Sequence, residues 1–194
     1  MATQTLPFVT PEQYLEYERQ AEFKSEYLEG EIFCMSGASP PHVLIASNAL
    51  RALGNKIEGG PCHVYGSDLR VAANPKKSYF YPDVSVICGP LEFVDGRKDT
   101  VTNPKVVVDV LSPSTRGIDF GQKFYAYLRV PSITDIIFIE QGKVSIEHWY
   151  RNEDGGWKDS ALEDMNGTLE IPSLNCSIPV AQIYAGVDLA GSAQ

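Results

Sequence analysis

Residues 106–111 read Val-Val-Val-Asp-Val-Leu and are followed by Ser-Pro-Ser-Thr at positions 112–115. The run does not alternate between apolar and polar side chains, because it is apolar everywhere except at Asp109. Runs of this kind are typical of strands that are covered on both faces, so the segment predicts an inner strand of an α/β sheet. A carboxylate there costs several kcal/mol unless it is paired or coordinated. Taken alone, Asp109 is explained equally well as a structural, paired residue and as a functional one.

A second acid stands where another apolar strand begins, in the segment Tyr-Pro-Asp-Val-Ser-Val-Ile at 81–87. Proline cannot donate a sheet hydrogen bond, so Pro82 belongs at the first residue or at the edge of that strand. For an isolated Pro-Asp pair a turn or a cap is the commoner explanation of the acid. Asp83 therefore does not identify a site by itself.

Lys123 decides between these explanations. The sequence predicts a helix over residues 119–129, and Lys123 lies at three- and four-residue steps from members of its apolar face, so it projects along that face toward the sheet. The apolar face is formed by four side chains, Phe120, Phe124, Tyr127 and Leu128. The competing explanation is an ion pair with Asp119, which is worth only a few tenths of a kcal/mol. The pattern favours a lysine directed at the two acids.

Two carboxylates and a lysine at one edge of a sheet suit phosphoester chemistry. Hard oxygen ligands bind Mg²⁺ or Mn²⁺, which can bridge to a phosphate and lower the pKa of an attacking water. The lysine can orient that water or stabilise charge that develops on the phosphate. We therefore expect Asp83, Asp109 and Lys123 to form one metal-dependent site.

The rest of the chain predicts a single α/β domain over residues 1–194, because no internal repeat or linker divides it. A helix with a capping box is expected over 14–22, a hairpin over 24–35, and an amphipathic helix over 42–57. Short strands are expected at 62–65, 68–72, 83–88, 105–111, 134–139, 143–150 and 168–171. The tail after residue 151 is otherwise turn-rich.

Net charge limits the function classes. The formal charge is −9 and the pI is about 4.8. This balance argues against a protein that coats DNA without regard to sequence, since affinity for phosphates comes largely from lysine and arginine. A nuclease remains possible, because a local basic patch and a divalent cation can offset a negative whole.

Targeting signals and cysteines bear on the compartment. No apolar run approaches the roughly 20 residues that a membrane span needs, and the first ten residues do not form a signal peptide. The four cysteines are scattered and form no close ligand pair of the kind that binds zinc: Cys34, Cys62, Cys88 and Cys176. Reduced thiols and a cytoplasmic location are therefore expected.

Three segments carry a resemblance to a known family: YPDVSV at 81–86, VVVDVLSPST at 106–115 and DFGQKFYAY at 119–127. They resemble the bacterial Uma-two-like family of restriction-endonuclease-like proteins, within the PD-(D/E)XK nuclease superfamily. The similarity extends to EYLEGE at 26–31 and PPH at 40–42 and covers roughly residues 10–185. It implies a restriction-endonuclease-like α/β core, with a mixed central sheet flanked by helices and an N-terminal helix and hairpin added.

The resemblance also implies ligands. Asp83 corresponds to the metal-binding acid of the Pro-Asp motif and Asp109 to the second acid, with the carbonyl of Val110 as a possible third ligand. The usual lysine of the superfamily stands two residues after the second acid, where this chain has Leu111, so Lys123 is the substitute. The family usually has glutamate where this chain has Asp109, which is one methylene shorter.

Two further residues are implied by the same resemblance. His42 matches a histidine typical of the family, and Glu31 is an acid near the same corner; either is a candidate for an additional ligand or a supporting contact. For His42, an ordinary helix-start residue remains an equal alternative.

The function implied is metal-dependent hydrolysis of DNA phosphodiester bonds by an endonuclease that uses Mg²⁺ or Mn²⁺ and pairs as a homodimer. The alternative is a catalytically inactive nuclease-fold module that binds a partner, which the acidic balance, Asp109 and Leu111 favour. A weaker third possibility is hydrolysis of another phosphoester.

Overall fold

The structure is a computed structural model of the chain, and it describes residues 8–112 and 116–189, apart from the side chains of residues 118 and 119. The strands, numbered in chain order, are β1 (Ser25–Leu28), β2 (Glu31–Cys34), β3 (Cys62–Gly66), β4 (Arg70–Asn74), β5 (Ser78–Phe80), β6 (Val84–Cys88), β7 (Thr100–Val101), β8 (Val106–Leu111), β9 (Asp135–Glu140), β10 (Ile146–Arg151), β11 (Trp157–Leu162), β12 (Thr168–Ile171) and β13 (Cys176–Pro179). The helices are α1 (Pro11–Gln20), α2 (Pro40–Ile57), α3 (Arg116–Ile118), α4 (Phe124–Tyr127) and α5 (Val180–Ile183). A π-helical turn over Asp119–Lys123 joins α3 to α4, and a 3-10 turn spans Pro172–Leu174.

The central sheet has six strands in the order β11-β10-β9-β8-β6-β3. β8 runs parallel to β9, whereas the other neighbours pair antiparallel, so the sheet is mixed. All six residues of β8 are buried, as its unbroken apolar run predicts. The expected α/β architecture with a mixed central sheet is confirmed.

Each face of this sheet has its own core. Val108 packs on one face in the core that includes the buried stripe of α2. Val107 and Leu111 pack on the other face, with Phe124 of α4. Because successive side chains of a strand point to opposite faces, Asp109 lies on the same face as Val107 and Leu111. The acid is therefore directed at the helical segment that carries Lys123.

The N-terminal part of the chain forms a second sheet, with strand order β2-β1-β5-β4-β7. The β1–β2 hairpin turns at Glu29 and Gly30, which have φ values of 48° and 100°. Two consecutive positive φ angles are what a two-residue hairpin turn requires, and glycine adopts them readily. α1 covers this sheet through Tyr14, whose ring centroid lies 5.0 Å from that of Tyr27. The N-terminal helix and hairpin are thus one packed unit.

Most predicted elements are confirmed within a few residues, including the capping box of α1, in which Thr10 and Gln13 bond reciprocally. Four strands were not predicted, namely β5, β7, β11 and β13. β5 is only three residues long, and β11 is an edge strand whose exposed side chains show no apolar alternation. The predicted helix over 119–129 begins three residues earlier, at Arg116, and contains the π-helical turn.

The expectation of reduced thiols is wrong for two cysteines, because Cys62 and Cys88 form a disulfide. They are 26 residues apart in sequence but directly opposite in the β3–β6 ladder, a pairing that spacing alone does not reveal. Cys34 is exposed and Cys176 partly buried, and both are free. No helix within residues 8–112 or 116–189 is long and apolar enough to cross a membrane.

Candidate active site

The pairing of β6 with β8 brings the two predicted acids to the same end of one ladder. Val84, the first residue of β6, lies opposite Val108 in this antiparallel pair. Asp83 directly precedes Val84, and Asp109 directly follows Val108. Both acids line one cleft at this end of the ladder.

Asp83 is held by two contacts on its two oxygens. Its Oδ2 accepts the main-chain N–H of Val110 at 2.7 Å, which replaces a ladder bond with a side-chain bond. Its Oδ1 lies 2.9 Å from Nε2 of His42, in the first turn of α2. Ser39 caps that turn by accepting the main-chain N–H of His42. Both descriptions of His42 thus apply, because its main chain belongs to a capped helix start while its ring reaches the acid.

Lys123 approaches from the other side of the pair. It is the last residue of the π-helical turn, and only 3% of it is exposed. Its Nζ donates to Asp109 Oδ1 at 3.0 Å and lies 5.5 Å from the centre of the Phe80 ring. π-helical turns are rare and are found frequently at functional sites. The competing explanation was an Asp119–Lys123 ion pair, and the side chain of Asp119 lies outside the described residues.

Glu26 is the member of the site that the sequence did not reveal. Its Oε1 accepts from Lys123 Nζ at 2.9 Å and from the main-chain N–H of Tyr81 at 2.8 Å, and only 8% of the residue is exposed. It lies on β1, 97 residues before Lys123. The available signal is an acid within the predicted hairpin, and its charged neighbours at positions 24, 29 and 31 give no indication that it is buried.

A second network fixes the segment that precedes Asp83. The hydroxyl of Tyr81 donates to Glu18 at 2.9 Å and accepts from Arg70 Nη1 at 3.2 Å. Glu18 also accepts from the hydroxyl of Ser25 at 2.6 Å, which joins α1 to the start of β1. Burial raises the pKa of Tyr81 well above its usual range, and the nearby carboxylate of Glu18 acts in the same direction. Tyr81 is therefore a neutral, doubly bonded anchor two residues before the acid.

The site lies in one cleft of about 740 Å³, between the β1–β2 hairpin and the start of α2. Asp83, Asp109, Lys123 and His42 all line it, so the structure brings together four of the five residues predicted from sequence. Glu31 is not among the cleft residues; it is exposed at the start of β2, at the far end of the hairpin.

Leu111 occupies the position at which the superfamily has its usual lysine. It is 1% exposed and packs in the core with Phe124. Lysine at this position would have to displace that apolar packing, whereas Lys123 reaches Asp109 from the neighbouring helix. The lysine of the site thus lies on a different element from the one that the superfamily motif predicts.

The donor set suits a hard divalent cation. Asp83 and Asp109 both present carboxylate oxygens to the cleft, and an oxygen that accepts one hydrogen bond keeps a lone pair for a metal. Within residues 8–112 and 116–189, no group of three or more His, Cys, Asp and Glu side chains is arranged to hold a metal ion. Mg²⁺ does not require such a group, because it is usually bound by one or two carboxylates and completes its shell with water and substrate phosphate.

Residues 11–181 match the family Uma2, described as "Putative restriction endonuclease". The chain belongs to this family. Two relatives of this Uma2 chain come from Synechocystis sp. (strain ATCC 27184 / PCC 6803 / Kazusa). The uncharacterized protein slr1290 is 36% identical over 183 residues, which are 93% of this chain and 94% of that protein. The uncharacterized protein sll1609 is 35% identical over 170 residues, which are 88% of this chain and 96% of that protein.

The fold of this Uma2 chain is also similar to a crystal structure from Anabaena variabilis ATCC 29413, described as a "putative nuclease belonging to DUF820". The TM-score is 0.76, and the match covers 91% of this chain and 98% of that chain. At 14% sequence identity the likeness shows the fold alone. It confirms the nuclease-like α/β architecture expected from the sequence.

Proposed function

We propose that this Uma2 protein is a metal-dependent endonuclease that hydrolyses DNA phosphodiester bonds. The observation that carries the proposal is that Asp83, Asp109 and Lys123 line one cleft, with the lysine in contact with the second acid. Family membership supports the reaction class. The choice of DNA as substrate and of Mg²⁺ or Mn²⁺ as cofactor belongs to the proposal.

In this proposal Asp83 and Asp109 hold the cation, which would supply charge to a phosphate oxygen and an activated water. His42 orients Asp83 through the contact at 2.9 Å and thereby fixes the direction of its oxygens. Lys123 places a buried positive charge beside Asp109, where it stabilises negative charge that develops on the phosphate. Glu26 holds Lys123 in place from the opposite side.

The test compares cleavage of supercoiled plasmid and of single-stranded DNA by the wild type, by Asp109→Asn and by a matched control, Asp159→Asn. Asp159 is an exposed acid on the edge strand β11, so its change alters the same chemical group away from the cleft. We expect cutting that requires Mg²⁺ or Mn²⁺, that survives in Asp159→Asn and that is lost in Asp109→Asn with the fold intact by circular dichroism. Cutting that persists in Asp109→Asn would contradict the assignment of the site.

A second candidate function is a nuclease-fold module that binds a partner without cleaving it. It is favoured by the engagement of both oxygens of Asp83 with protein groups and by the tight pairing of Lys123, which together form a self-sufficient polar network. Isothermal titration with Mg²⁺ separates the two functions. No cleavage, together with no metal binding that depends on Asp83, would favour the binding module.

The proposal also covers the domain organisation, the compartment and the oligomeric state of the protein. The whole chain acts as one domain, because Glu26 of the five-stranded sheet completes a site built on the six-stranded sheet. The protein acts on DNA in the cytoplasm, which fractionation of cells tests directly. It pairs as a homodimer, and light scattering of the purified protein measures this.

A further inference from the structure

The face of the β1–β2 hairpin that borders the cleft carries apolar side chains next to the charged site. Phe33 lies directly opposite Glu26 in the hairpin register, so the two side chains share a face. The main-chain N–H of Met35 donates to the carbonyl of Lys24, which continues the same register by one pair beyond the strands. Met35 therefore lies on this face as well, and both apolar side chains line the cleft.

Phe23 is a third apolar side chain in the lining of the cleft. It lines the cleft and is 76% exposed, the largest exposed fraction among the large apolar side chains of the described residues. Single exposed apolar residues are ordinary on protein surfaces and need no explanation. Here, however, Phe23, Phe33 and Met35 all line the cavity that also holds the two predicted acids. These three side chains, which we call the apolar wall, offer a surface for a flat ring.

The charges around the cleft limit what can bind. Its described lining contains four acids, namely Glu22, Glu26, Asp83 and Asp109, and two lysines. Both lysines contact carboxylates: Lys123 as described above, and Lys24 with Asp68 Oδ1 at 2.7 Å. Binding of a duplex depends on many phosphate contacts from lysine and arginine. Single strands are also held by stacking of bases on aromatic side chains, a contribution that does not depend on protein charge.

We propose that the apolar wall is a base-stacking subsite that accepts an unpaired nucleotide of single-stranded DNA, with its phosphate directed at the cation that Asp83 and Asp109 would hold. The inference rests on the proposed function, because it assigns the substrate class of the same site. The cleft volume of about 740 Å³ lies in the range of pockets for small ligands, roughly 300–1,000 Å³, and suits one or two nucleotides rather than the width of a duplex.

The experiment measures binding, so that it does not depend on catalysis. Asp109→Asn, which prevents cleavage in the proposed mechanism, is the parent protein, and fluorescence anisotropy reports its binding to a labelled oligonucleotide of about 12 nucleotides in Mg²⁺. The same oligonucleotide is also presented as a duplex. Phe23→Ala is the test variant, and Phe23→Trp restores an aromatic ring. Tyr17→Ala removes an exposed aromatic residue of α1 that does not line the cleft.

We expect the parent to bind the single strand more tightly than the duplex, and Phe23→Ala to weaken binding of the single strand about tenfold. Phe23→Trp should restore binding, with quenching of the new tryptophan fluorescence when the base stacks on it, and Tyr17→Ala should bind like the parent. Because Phe23 is exposed, its replacement is not expected to unfold the chain.

Two outcomes would overturn the inference: undiminished binding by Phe23→Ala, or duplex binding at least as tight as that of the single strand. Either would leave the proposed hydrolysis standing if cleavage is observed. Conversely, tenfold weaker binding by Phe23→Ala in a protein whose wild type cuts no DNA would support the subsite and contradict the proposed hydrolysis. The failures of the two proposals are therefore distinguishable.

Discussion

Replacement of Lys123 by methionine removes the only lysine that contacts Glu26 and Asp109 together in the described part of the chain. The side chain of Lys123 is 4% exposed, and those of Glu26 and Asp109 are 11% and 5% exposed. Methionine has a similar length and preserves the packing against the Phe80 ring. The variant therefore isolates the loss of the charge and leaves two buried carboxylates facing each other.

The magnitude follows from which charges stay unpaired. Removal of one partner of a buried ion pair typically costs about 3–5 kcal/mol, so Lys123→Met should lower the free energy of unfolding by about that amount. Glu26→Gln leaves the pair of Lys123 with Asp109 in place, so its expected cost is only about 1–3 kcal/mol. In the double variant Asp109 loses its partner but no longer faces a second carboxylate. A coupling free energy of about 1–3 kcal/mol between Glu26 and Lys123 is therefore expected.

Urea unfolding of the wild type, both single variants and the double variant at neutral pH measures this cycle. The matched control is Lys77→Met, because Lys77 forms an ion pair with Glu29 in which both side chains are 62% exposed. Exposed pairs contribute roughly 0–1 kcal/mol. A loss of less than about 1 kcal/mol in Lys123→Met, or a coupling energy near zero, would refute the conclusion that these charges form a buried network.

Three further predictions concern other parts of the molecule. Removal of the His42 ring in His42→Ala should weaken Mg²⁺ binding about 10- to 100-fold, measured by titration calorimetry, because His42 orients Asp83. Burial raises the pKa values of Tyr14 and Tyr81 above 10.0, so the stability that their neutral forms contribute is complete below about pH 10 and is lost as the pH rises above it. The urea midpoint should thus fall as the pH rises above about 10, less steeply in Tyr81→Phe, and an unchanged slope in that variant would contradict the assignment. A reductant that opens the disulfide should lower the free energy of unfolding by about 3 kcal/mol. A variant in which Cys62 and Cys88 are both replaced by alanine should not respond to the reductant.

The central strand could be predicted because burial on both faces leaves a plain mark in the sequence. β8 is apolar at five of its six positions, and no exposed element needs such a run. The hairpin was equally accessible, since Glu29-Gly30 supplies the turn chemistry. β5 and β11 carry neither mark. Three residues are too few to show a period, and an edge strand that faces solvent has no reason to alternate.

The faces on which Asp109 and Lys123 lie could be predicted from periodicity alone. Asp109 falls on the same face of β8 as Leu111, and Lys123 falls on the helix face that packs there. The sequence did not supply the register of β6 against β8, which brings Asp83 and Asp109 to the same end of the ladder. Register depends on the fit of whole strands, and a single chain does not encode it in any short segment. The disulfide was missed for the same reason, because it follows from the β3–β6 register.

Glu26 shows the opposite limit, since no local pattern distinguishes a buried acid in a charged hairpin from an exposed one. Its burial arises only when the hairpin packs over the helix of Lys123, 97 residues away in sequence. Its presence nevertheless changes the electrostatics of the site. Two acids, Glu26 and Asp109, share one lysine, and Asp83 lines the same cleft, so these acids outnumber the lysine that pairs with them. Uncompensated charge of this kind is costly, and binding of a divalent cation between the carboxylates would compensate it. The residue that the sequence concealed is therefore the one that strengthens the physical argument for a metal.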